Sequence, residues 1–142
     1  MNLKKARAAF TLIEILLVIA LIGLLAGVLI TNTTGVFDQG QESAAKIFVR
    51  DTMKLALTRY RMDLGDYPST TEGLAALITA PASKADRWRG PYIEAPSGKL
   101  PLDPWGEAYR YRYPGTKNKG AYDLYSVGKD KAEGTEDDVG NW

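Results

Sequence analysis

A chain of 142 residues with 18 basic and 17 acidic side chains has room for one modest domain, and its net charge of +1 gives it no general attraction to nucleic acid. With no cysteine, a small exported fold has no disulfide to brace it and must rely on packing or a bound ion. With no histidine, the commonest general base and the usual ligand of catalytic zinc are missing, which argues against serine-hydrolase triads and zinc hydrolases.

Residues 1–9 carry Lys4, Lys5 and Arg7 without an acid, and the apolar run of residues 10–30 follows them. That run has roughly the 20 residues an α-helix needs to cross ~30 Å of hydrocarbon. Basic residues on its N-terminal side keep residues 1–9 in the cytoplasm and send the remainder outward. A cleaved secretory signal is the competing reading, but its apolar region spans only about 7–15 residues and ends at a small-residue cleavage site, which does not follow here. Glu14 lies one turn into the span, where a carboxylate costs about 2.5–3.5 kcal/mol. It either snorkels to the headgroups, takes up a proton, or meets a cation at the same depth.

Beyond the span, Thr31 to Gly35 is a weak helix stretch. A helical pattern resumes after Gly40, with Ala45, Phe48, Val49, Thr52, Met53, Ala56 and Tyr60 on one face and Lys46, Arg50, Lys54 and Arg61 on others. This stripe reads as packing against the chain's own domain. The helix should stop near Gly65-Asp66-Tyr67-Pro68, because proline disfavours helical geometry in the residue before it. Ser69-Thr70-Thr71-Glu72 then offers a fresh N-cap for a short helix over residues 71–79, with Leu74, Leu77 and Ile78 inward. Residues 82–104 read as loop. Residues 108–113 and 121–126 show aromatic alternation around a turn-rich joint and predict a hairpin.

The last segment sets Asp130, Glu133, Glu136, Asp137 and Asp138 among Gly128 and Gly134. A hard cation such as calcium wants about 6–8 oxygens from carboxylates, carbonyls and water, and this loop can offer all three kinds. It lacks the alternating spacing of an EF-hand, and an ordinary solvated acidic loop is the alternative. An acid/base pair at Asp137-Asp138 in a membrane-tethered hydrolase is a further reading, opposed by their adjacency on a glycine-flanked loop.

Phe10-Thr11-Leu12-Ile13-Glu14 resembles, residue for residue, the processing signal of type IV pilins and pseudopilins. Asp66-Tyr67-Pro68, Thr70-Thr71-Glu72-Gly73-Leu74, Gly90-Pro91-Tyr92-Ile93, Asp103-Pro104-Trp105-Gly106 and Asp137-Asp138-Val139-Gly140-Asn141-Trp142 then follow in the order found in the major pseudopilins of type II secretion. Zero cysteines and the acidic loop separate the chain from a type IV pilin, the first rival, with a minor pseudopilin beside it.

The resemblance implies an α+β, type IV pilin-like fold, with one long N-terminal helix on a small antiparallel sheet and a C-terminal calcium loop. It implies a leader at residues 1–9, a transmembrane and filament-core helix at 10–31, a periplasmic half-helix at 32–64 and a globular head at 65–142. Prepilin peptidase would cut between Ala9 and Phe10 and methylate the Phe10 amine. Ala9 stands where relatives usually have glycine, and Thr31 where many have a helix-kinking proline. The new α-amine, with a pKa near 7.7–8.0, would supply the missing cation and pair with Glu14 of a neighbouring subunit. Asp130, Asp137 and Asp138 would bind calcium by their side chains, and Val127 and Ala132 by their carbonyls. The expected protein is not an enzyme. It sits single-pass in the inner membrane, in contact with lipid and with its head in the periplasm. It assembles with copies of itself, with minor pseudopilins and with the inner-membrane platform, and it has no nucleic-acid partner. The resulting filament pushes folded proteins through an outer-membrane pore.

Overall fold

The computed structural model describes residues 10–142, with the side chains of residues 29–34 left aside. The expected leader, including Lys4, Lys5, Arg7 and Ala9, lies outside the described residues. Helix α1 runs without interruption from Leu12 to Ile47, passes through a π-helical turn at Phe48–Thr52, and continues as α2 from Met53 to Leu64. The backbone stays helical through Thr31, where no donor is lost and no proline ring clashes with the turn before it. The stop falls where glycine and proline place it. Gly65 adopts φ +89° and its N–H donates to the Arg61 carbonyl at 2.8 Å.

The chain divides into two compact units, one ending at Asp38 and one from Gln39 to Trp142. In the first, every large apolar side chain described, from Leu12 to Val28, is exposed. Among the described residues no helix is long and apolar enough to cross a membrane, and the expected span to Ile30 extends beyond the described side chains.

The second unit owes its core to the helix face. Ala45, Val49, Met53, Ala56, Leu57, Tyr60 and Leu64 are buried, whereas Thr52, which the periodicity put on this face, is exposed and Phe48 is only half-buried. The π-helical turn shifts the register at that point, and Leu57 joins the core. Tyr60 meets Tyr92 edge-on at 5.4 Å, and Tyr92 meets Trp88 at 5.7 Å, so the loop at residues 82–104 is anchored by its aromatics. The Trp88 indole N–H donates to the Ala76 carbonyl at 2.8 Å.

The short helix expected over residues 71–79 is instead a 3₁₀ helix, Leu74–Leu77. Gly73, at φ +59°, breaks the α-helical path immediately before it. Ala76 is therefore buried in place of Ile78, which is half-exposed. The capping box itself forms: the Glu72 N–H donates to Ser69 Oγ at 3.2 Å and the Ser69 N–H to Glu72 Oε2 at 2.8 Å.

The hairpin forms as β1 (Arg110–Arg112) antiparallel to β2 (Asp123–Ser126), with Tyr111 opposite Leu124. A third strand, β3 (Val139–Gly140), pairs antiparallel with β2 and completes a β1-β2-β3 sheet; two residues are too short to leave a sequence signal. Within this unit Leu124 of β2 and Tyr122, the residue before that strand, pack on the helix residues named above. The helix plus small antiparallel sheet matches the expected α+β class.

Candidate functional site

Two regions carry the residues singled out by the sequence. At the start of α1, Thr11 caps the helix: the Glu14 N–H donates to Thr11 Oγ1 at 3.3 Å and to its carbonyl at 3.1 Å. Phe10 and Glu14 are both exposed, and Glu14 is the only charged residue between Leu12 and Val28. Ala9, the other side of the expected cut, lies outside the described residues.

The acidic loop leaves β2 at Val127 and returns through β3. It starts on Gly128, at φ +69°, where a methyl group would sit 2.4 Å from the Asp137 carbonyl oxygen and 2.6 Å from its Oδ2. Only glycine lets the two ends of the loop approach this closely. The three aspartates serve the loop's own backbone. Asp137 Oδ2 accepts from the Asp130 N–H at 3.0 Å and Oδ1 from the Thr135 hydroxyl at 2.6 Å. Asp130 Oδ1 accepts from the Ala132 N–H at 2.8 Å, and Asp138 Oδ2 from the Gly134 N–H at 2.8 Å. The Thr135 hydroxyl and the Asp130 amide hold the Asp137 carboxyl below the usual carboxylate range.

Val127 is buried, and the Ala132 carbonyl accepts from Thr135 Oγ1 at 3.2 Å. Among the described residues no three acidic side chains converge as a metal cluster. Within the loop, among the described residues, one side-chain oxygen stands apart: Asp138 Oδ1 is buried and has no hydrogen-bond partner. Glu133 and Glu136 keep to the exposed side of the loop, Glu133 accepting from the Tyr125 hydroxyl. Burial first, then that carboxylate, pushes the Tyr125 phenol up to about 12.

Residues to which the sequence reading assigned no role in this loop secure both its ends. Asp103 and Ser126 are buried, and Ser126 Oγ donates to Asp103 Oδ2 at 2.5 Å while accepting from the Gly128 N–H at 3.1 Å. At the other end Arg50 donates from Nε to the Gly140 carbonyl and from Nη2 to the Trp142 main-chain oxygen, each at 3.0 Å. Asn141 bridges to Leu124 N–H and Asn118, and the Lys117 ammonium lies 4.0 Å over the Trp142 ring. Asp103, Asn141 and Trp142 belong to two of the ordered motifs, whose tight Asp-Pro-Trp-Gly turn is the signal that could have pointed to Asp103; Arg50, Lys117, Asn118 and Ser126 carry no such signal.

The family model described as type II secretion system (T2SS), protein G, matches residues 32–142, and that of the prokaryotic N-terminal methylation motif matches residues 4–30. The chain belongs to the type II secretion system protein G family. It is 39% identical to the type II secretion system core protein G of Pseudomonas aeruginosa, over 98% of this chain and 97% of that protein. The Escherichia coli K12 protein of the same name is 41% identical, over 94% of this chain and 89% of its own length. Among solved structures, the major pseudopilin from the type 2 secretion system of enterohaemorrhagic Escherichia coli aligns with a TM-score of 0.65 at 33% identity, covering 78% of this chain and 89% of that one. The resemblance read from the ordered motifs is thereby met, and the chain is a core pseudopilin of type II secretion. Its family is one of structural subunits, not of enzymes.

Proposed function

We propose that the chain is held in the inner membrane by the first part of α1, then polymerises with copies of itself into a periplasmic filament that drives folded proteins across the outer membrane, with no catalytic step of its own. The observation that carries this reading is the surface of α1. From Leu12 to Val28 apolar side chains face outward on every side, with Leu12, Ile13 and Leu24 each about two-thirds or more exposed. Apolar surface on this scale needs lipid or other helices around it. In either setting Glu14 is an uncompensated charge, and the α-amine of a processed Phe10 on a neighbouring subunit is the cation of matching depth.

Glu14→Leu tests the pairing. Cells overproducing the wild-type chain together with its secretion system should shed filaments visible by electron microscopy, and the variant should shed few or none although it accumulates in the membrane. Filaments in wild-type number from the variant would remove the pairing role.

We read the acidic loop as a calcium site held by Asp130, Asp137 and Asp138 with the Val127 and Ala132 carbonyls. The donors are all hard oxygens, and the buried, unpartnered Asp138 Oδ1 is costly without a cation beside it. Calcium would supply positive charge to this oxygen-rich loop, and its binding free energy would count toward folding.

A further inference from the structure

Asp103 lies in the Asp-Pro-Trp-Gly turn, is 4% exposed, and is neither a calcium ligand nor part of filament assembly in the proposed function. Its Oδ1 accepts from the Trp105 N–H at 3.1 Å and the Glu107 N–H at 2.7 Å, which shapes the turn. Its Oδ2 has a different duty, accepting from Ser126 Oγ across 23 residues of sequence. The same Ser126 hydroxyl, completely buried, accepts from the Gly128 N–H, the first amide of the acidic loop. Gly128 in turn lies against the main chain and carboxylate of Asp137. A continuous path of hydrogen bonds and close contact therefore runs from a buried carboxyl in one loop to an aspartate in another.

A second, solvent-side tie joins the same two segments. Lys131 Nζ reaches Glu107 Oε1 at 3.0 Å, and Lys131 is the one non-glycine residue with positive φ, +58°, among the described residues. A side chain disfavours that conformation, so the loop turns at this position against local preference while the lysine holds the turn that contains Asp103.

We propose that Asp103 is the positioning residue of the acidic loop: through Ser126 it fixes Gly128, and with Gly128 the placement of Asp137, before any cation arrives. The inference builds on the calcium reading but concerns the loop's geometry, which can be measured with or without the ion. A polar chain of this kind strengthens each link by polarising the next, and cutting it leaves a buried group unsatisfied. Ser126→Ala removes the link and leaves the turn bonds at Oδ1 in place; Asp103→Asn keeps the shape and changes the donor pattern at Oδ2.

The test uses the full chain in detergent, titrated with calcium chloride alone by calorimetry, with amide hydrogen exchange followed in chelator. Leu77→Val, which thins the core far from the loop in sequence, controls for general destabilisation. Ser126→Ala and Asp103→Asn should each weaken calcium binding about tenfold, and in chelator residues 128–138 should exchange faster than in wild type; the control should do neither. Wild-type exchange of the loop in both variants overturns the proposal. If the wild-type chain takes up no calcium at all, the calcium reading falls, while faster exchange in the variants still supports the positioning role. If neither buried variant folds, Glu107→Gln cuts the solvent-side tie without touching the core: faster exchange across residues 129–135 supports the arrangement, and unchanged exchange overturns it.

Discussion

Arg50 holds β3 and the residues after it to the π-helical turn, and its removal has a magnitude that can be worked from the contacts. The guanidinium makes two charge-assisted hydrogen bonds, one part-buried to the Gly140 carbonyl and one exposed to the Trp142 oxygen, each at 3.0 Å. A hydrogen bond to a charged group is worth about 1.5–3 kcal/mol when protected from solvent. Arg50 is itself exposed, so the part-buried bond falls at the low end and the exposed one contributes less. Together they give about 2 kcal/mol for Arg50→Ala, and in a unit of this size each kcal/mol moves the melting temperature by about 4–8 °C. The midpoint should therefore drop by about 10 °C, with Arg50→Lys, which cannot reach both oxygens in one plane, between the two. Thermal unfolding followed by tryptophan fluorescence reads the shift, and amide exchange at residues 139–142 locates it. An Arg50→Ala protein that melts within about 2 °C of wild type, with β3 amides equally protected, would show that the sheet and Asn141 hold this segment unaided.

Gly128→Ala should cost more, about 3 kcal/mol or above, because a side chain at φ +69° is strained and its methyl would meet the Asp137 carbonyl oxygen at 2.4 Å; denaturant midpoints compared with those of Gly134→Ala, which has open space around it, measure the steric share. Asp123 sets the acid side of the stability curve. Burial opposes its ionisation, but the Lys117, Asn118 and Thr116 amides and the Thr116 hydroxyl outweigh it and hold the carboxyl below its ordinary 3.8. A depressed folded value means that the contribution is complete above the unfolded value and is lost as pH falls through the folded one. Asp123→Asn should therefore be less stable than wild type near neutral pH and converge with it at the acid end, as chemical denaturation across that range would record.

The parts of this fold that were legible in the sequence are those with a local cause. Gly65 and Pro68 end the helix because one tolerates positive φ and the other rejects the preceding helical residue. Tyr109, Tyr111 and Tyr113 alternate, and all three pack from the same strand region against the core. What was illegible has a cause elsewhere in the chain. Nothing around Gly73 says that it will turn to φ +59° and convert a short α-helix into a 3₁₀ turn. The three loop aspartates could be picked out by composition and resemblance, and Asp103 as part of a turn motif, yet the bond between Asp103 and Ser126 could not, because it exists only once two segments are side by side. Asp123 likewise reads as a strand residue, although its carboxyl gathers the amides of residues 116–118 and shapes the hairpin turn.

The π-helical turn explains how one helix face serves three neighbours. An α-helix advances about 100° per residue, so a four-residue step overshoots a full turn by about 40° and successive steps of four wander off the face. Ala45, Val49 and Met53 are spaced by four twice over and are nevertheless all completely buried. The wider turn at Phe48–Thr52, with its i→i+5 bonding, absorbs the excess and keeps all three pointed at the core. With Val49 fixed inward, its neighbours in sequence fall to either flank: Phe48 stacks on Tyr109 beside β1 with ring centroids 4.5 Å apart, and Arg50 reaches the carbonyl of Gly140 in β3. The residue that leads into β1 and the strand β3 are thus held from either side of Val49 on a single turn, while β2 carries Leu124 into the core between them. The strand gripped by Arg50 is the one that closes the acidic loop, and the strand bearing Ser126 is the one that opens it, so the helix and the Asp103 turn hold the loop from opposite ends.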